Sequence, residues 1–61
     1  MKIGDNVEVV YVDIFDPRIK KGDKASIVDI QSSGILEIFM ESGERIGAYQ
    51  VCDKTDIKLI T

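Results

Sequence analysis

Apolar residues in this chain fall in short β-branched runs separated by turn signals. The signals are Gly4-Asp5, Asp16-Pro17, Lys21-Gly22-Asp23, Ser32-Ser33-Gly34, Ser42-Gly43 and Asp53-Lys54. No run keeps a helical period, and few gaps between signals could hold a helix of useful length. Period-two alternation predicts a first strand over 6–12, with Val7, Val9 and Tyr11 on one face and Glu8, Val10 and Val12 on the other. The Glu8 face is the expected outer one, although Val10 and Val12 make it unusually apolar. Residues 13–23 are polar and broken by Pro17, which predicts a long loop folded over one mouth of a barrel.

A second strand is expected over 24–30. Ala25, Ile27, Val28 and Ile30 do not alternate cleanly, so a bend or bulge is expected there, one that lets Ile27 and Ile30 both face inward. A third strand over 35–40 alternates well, with Leu36, Ile38 and Met40 opposite Ile35, Glu37 and Phe39. Glu41-Ser42-Gly43-Glu44 reads as a hairpin turn with Gly43 at the positive-φ position. A fourth strand is expected over 45–49 with Ile46 inward, a helical turn over 51–55, and a last strand over 56–60 with Ile57 and Leu59 on one face. This order predicts an all-β fold, a small five-stranded SH3-like barrel occupying residues 1–61 as a single domain. Its expected inward residues are Val7, Val9, Tyr11, Ile27, Ile30, Leu36, Ile38, Met40, Ile46, Val51, Ile57 and Leu59.

Size sharpens the problem. A chain of 61 residues has a core worth only ~3–5 kcal/mol of net stability unless something staples it. Cys52 is the only cysteine and there is no histidine, so neither a disulfide nor a structural zinc is expected. Stability must come from Val, Ile and Leu, or from a second subunit. The net charge of −3 disfavours a general nucleic-acid binder, since phosphate neutralisation needs surplus Lys and Arg. No apolar stretch is long enough to span a bilayer, and the first residues do not read as a signal peptide. With one free thiol, the expected location is cytoplasmic, in the bacterial host cell if the chain is phage-encoded.

The turn and strand residues also carry a resemblance. Gly4-Asp5-x-Val7-x-Val9, Asp16-Pro17, Lys21-Gly22-Asp23-Lys24-x-x-Ile27, Gly34-x-Leu36-x-Ile38 and Ser42-Gly43 with Ile46 are similar to a group of small uncharacterised SH3-like barrel proteins of bacteria, phages and conjugative elements. More distantly the chain resembles KOW-type barrels. It departs from the first pattern at Ala25, where Gly is usual, at Arg18, where an aromatic is common, and at Phe39, where a polar residue is usual. The resemblance implies the fold and a mobile-element setting, and it implies no particular activity.

Candidate chemistry is sparse. Catalysis without His leaves only Asp, Glu, Lys, Tyr and Cys52. Cys52 beside Asp53 reads as a buried or half-buried small hydrophobe. Asp13 with Asp16, or Asp53 with Asp56, could be imagined as a carboxylate pair or cation site. Calcium-loop spacing is missing, and Asp53 and Asp56 read better as caps of a helical turn. No enzyme activity, cofactor or metal is therefore expected. Two binding candidates stand out. One is an outward apolar set, Val10, Val12, Ile35 and Phe39 with Tyr49 nearby, which is either an interface or a surface covered by the long loop. The other is a basic cluster, Arg18, Lys20, Lys21 and Lys24, which either meets phosphate or an acidic surface or is neutralised by Asp13, Asp16 and Asp23. The expected function is a non-catalytic protein-interaction module, open to self-association, serving as an accessory or host-modulating factor of a phage or mobile element. The alternative is nucleic-acid or nucleotide binding through Arg18–Lys24.

Overall fold

The computed structural model of the chain describes residues 1–13 and 15–60; Ile14, inside the expected long loop, lies outside them. The strands are β1 (Asn6–Val9), β2 (Lys24–Ile30), β3 (Leu36–Met40), β4 (Tyr49–Cys52) and β5 (Ile57–Leu59), with a 3₁₀ turn at Lys54–Asp56 before the last. They form one antiparallel sheet in the order β4-β3-β2-β1-β5. Among the described residues no ladder joins β4 to β5, so the sheet is open where a closed barrel was expected.

Alternation builds the inner face. Val7 and Val9 of β1, Ala25 and Ile27 of β2, and Leu36, Ile38 and Met40 of β3 are all buried. Val28 has no partner: the register passes from Ile27↔Ile38 to Asp29↔Glu37 and Ile30↔Leu36. This is the bulge expected from the broken alternation, and it returns Ile30 to the side of Leu36. Ile30 nevertheless stays 38% exposed, because it ends the strand.

β1 is shorter than the pattern suggested. Beyond Val9 the amides of Val10 and Tyr11 both donate to the Asp56 carbonyl, which turns the chain off the sheet. Tyr11 is thereby exposed, and its hydroxyl donates to Asp13 Oδ2 at 3.0 Å. It is not a core residue. The loop contributes to the core instead: Phe15 and Ile19 are buried in the main cluster and Val12 packs against it. The expected loop over one mouth thus inserts side chains, each worth roughly 1.5–3 kcal/mol of burial.

The β3–β4 hairpin explains the remaining corrections. Gly47 N donates to Met40 O, and Met40 N donates to Ala48 O. Two residues oppose one, with Gly47 at φ 87°: a glycine bulge closing a turn that carries Gly43 at φ 86°. The turn absorbs residues expected in the fourth strand, so β4 begins at Tyr49 and Ile46 is 66% exposed. Gln50 and Cys52 take the inner side, opposite Ile38 and Leu36, and Val51 turns outward. Asp53 caps the 3₁₀ turn: its carboxylate accepts from Thr55 N, and Asp56 accepts from Asp53 N at 2.8 Å. Asp56 is buried in that role, and Ile57 follows it into the core. Leu59, opposite Val7, remains 45% exposed at the end of β5.

The two turn glycines should differ under substitution. Gly47→Ala meets no neighbouring atom and should cost about 1–2 kcal/mol from its left-handed backbone. Gly43→Ala carries the same strain and would also set its Cβ 2.5 Å from Asp23 Oδ2, the acceptor for Lys20 N. Urea denaturation should therefore place the Gly43→Ala midpoint below that of Gly47→Ala; equal midpoints would show that Asp23 moves aside freely.

Candidate interaction surface

The glycine bulge sets the hydrogen-bond phase of β4. From Met40/Ala48, the pairs Ile38–Gln50 and Leu36–Cys52 exchange backbone bonds, whereas Phe39–Tyr49 and Glu37–Val51 do not. Side chains of non-bonded pairs lie closest. Phe39 and Tyr49 accordingly meet edge to face, with ring centroids 5.3 Å apart and planes at 62°. Both lie on the outer face, as does Val51 next along the strand. Tyr49 is 61% and Val51 49% exposed.

Of the expected outward set, the structure brings together only Phe39 and Tyr49. Val12 turns to the core. Val10 sits half-buried where β1 meets the 3₁₀ turn, bonded to Asp56. Ile35 is exposed just before β3, at the opposite end from Phe39. Val51 joins the strip although the sequence reading put it inside. A helical turn was expected over 51–55, but β4 continues through Cys52, so Val51 falls on the same outer side as Tyr49.

The basic loop is occupied with itself. Arg18 Nε and Nη2 donate to the two oxygens of Asp16 at 3.0 and 2.9 Å, and Arg18 N donates to Oδ1. Those hydrogen bonds hold the Asp16 carboxyl well below the usual carboxylate range. Arg45 Nε lies 3.6 Å from Asp16 Oδ2, an ion-pair distance but too long for a hydrogen bond, and that buried nitrogen has no other partner among the described residues. Lys20 Nζ donates to Pro17 O and Lys24 Nζ to Gly22 O, the latter also 3.6 Å from Glu8. Lys21 alone of the four makes no such contact among the described residues.

The other candidates resolve into packing. Cys52 is buried, which pushes its thiol up to about 11, with Asp56 and then Asp53 adding to the shift. Asp53 and Asp56 form the cap described above. Among the described residues no side-chain cluster could hold a metal ion, the surface has no pocket, and no helix is long and apolar enough to cross a membrane. No protein-family model matches the chain, and neither does any curated protein or solved structure.

Two measurements check this electrostatic picture. The folded Asp16 carboxyl titrates below its unfolded value of about 3.9, so its pairing stabilises the fold above that pH and is lost as pH falls toward the folded value. Asp16→Asn should lower the Tm near neutrality, and the gap to wild type should close as pH drops below about 4; a gap independent of pH would show that the carboxylate is not the cause. Cys52 should react slowly with iodoacetamide at about pH 8 and quickly once denaturant opens the core, whereas fast labelling of the native chain would contradict its burial.

Proposed function

We propose that this chain is a small SH3-like barrel acting as a non-catalytic protein-interaction module, with Phe39, Tyr49 and Val51 as its contact strip. The strand order, with a 3₁₀ turn before the closing strand, supports the barrel reading. The observation that carries the function is the outer-face aromatic pair, exposed Tyr49 packed edge to face on half-buried Phe39. The core is already filled from both strands and loop, so Tyr49 and Val51 are not needed inside, yet they stand on an outer face where a solvated strand would carry polar residues. Aromatic side chains with a polar tip suit such contacts. The absence of His in the sequence supports a non-catalytic role. An accessory role in a phage or mobile element rests on the turn-motif resemblance. The nucleic-acid alternative is weakened, because Arg18, Lys20 and Lys24 already meet acceptors within the loop and β1.

Selection from a random peptide library tests the reading. Wild-type protein should enrich binding peptides, and Tyr49→Ser should weaken them by about tenfold or more. No enrichment, or affinity untouched by Tyr49→Ser, would remove the proposal. Binding to RNA or DNA fragments at low salt, abolished by Arg18→Glu with Lys21→Glu, would replace it with the alternative.

A further inference from the structure

The two edges of the sheet are not protected alike. β5 is three residues long and carries Lys58 at its centre, a usual defence of an exposed edge. β4 reads Tyr-Gln-Val-Cys, with no charge and no proline. The hydrogen-bond phase fixed by Met40/Ala48 points the N–H and C=O of Gln50 and Cys52 at β3 and those of Tyr49 and Val51 away from the sheet. Among the described residues the one group bonded on that free side is the Gln50 side-chain amide, which donates to Val51 O at 3.0 Å, and a carbonyl can accept a second bond.

We propose that this edge pairs antiparallel with β4 of a second copy, about a two-fold axis through Gln50. The inference rests on the interaction-module reading and names its partner. Its support is self-complementarity. In this register Tyr49 of each copy exchanges backbone bonds with Val51 of the other, so the outward-pointing groups on one strand meet their counterparts on the next. The aromatic and β-branched side chains then face each other across the join, and the Phe39–Tyr49–Val51 strips of both copies merge into one surface. Charge agrees with the same orientation. Antiparallel pairing brings the Glu44–Arg45 turn of one copy towards the Asp53–Lys54 segment of the other, each with one charge of either sign. Parallel pairing would set Asp53 beside Asp53 and Lys54 beside Lys54. An edge this short buries less than a standard stable interface, so association belongs in the range of about 10 µM to about 1 mM.

Sedimentation equilibrium and amide exchange over that concentration range test the pairing. A monomer–dimer equilibrium is expected, with the Tyr49 and Val51 amides gaining protection as concentration rises while Gln50 and Cys52, already bonded to β3, do not change. Val51→Pro removes a donor only from the free side and should shift the chain to monomer with its circular dichroism intact. If that variant fails to fold, Tyr49→Lys supplies the same test by placing like charges at the join. A strict monomer, a dimer unaffected by both variants, or protection appearing elsewhere would overturn the pairing. Peptide selection that still depends on Tyr49 in a strict monomer would sink this inference alone, whereas loss of both signals would sink the module reading as well.

Discussion

A sheet of five short strands, with no α-helix against it among the described residues, can hide its inner face only by curling and by borrowing side chains from a loop. Everything else in this molecule follows from that constraint. β3 gives the buried face its longest inward row, with Leu36, Ile38 and Met40 all buried. β2 stays in step with it only because Val28 is set aside as a bulge. The loop adds Phe15 and Ile19 to that core. The loop can take that position because its own polar groups are satisfied locally. Asp16 gathers Arg18 and stands beside Arg45, Asp23 accepts from Lys20, and Gly22 and Asp23 bond to Val9 alongside β1.

That internal use of charge supports the proposed apolar strip over the basic loop. Basic residues clustered in a loop suggest phosphate contacts when only their order is known. Here most of them tie the loop to itself, and the bidentate Arg18–Asp16 pair has little to offer a ligand without first breaking. The apolar strip on β3 and β4 has no comparable intramolecular use, and its edge still carries unmatched backbone groups.

The parts of the fold legible in the sequence were those governed by period two and by single-residue backbone preference. Val7 and Val9, the β3 alternation, the irregularity at Val28, the Gly43 turn and the Asp53 cap all belong to that class. Phe15 and Ile19 did not, because isolated apolar residues in a polar loop have no periodicity to reveal which way they point. Tyr11 was misplaced because a long-range bond to the Asp56 carbonyl ends β1 early, and nothing in residues 6–12 encodes it. Ile46 was misassigned because the bulged turn absorbs it, and Val51 because β4 runs on through Cys52 where a helical turn was expected over 51–55; Cys52 itself is buried, as its sequence context suggested. Of the candidate surface, Phe39 and Tyr49 were found, while Val51 was hidden by the helical turn expected over 51–55.

Gly47 therefore does more than relax a turn. Side-chain direction along β4 is set by whether one or two residues face Met40, so the loss or gain of a single codon between Gly43 and Ala48 would exchange the strand's two sides at once. Tyr49 and Val51 would be driven towards the interior, and Gln50 with the Cys52 sulfur would be carried to the solvent. Length variation in this hairpin, ordinarily the most tolerated kind of change in a small protein, would here turn an aromatic rim into a thiol-bearing one without altering any strand residue.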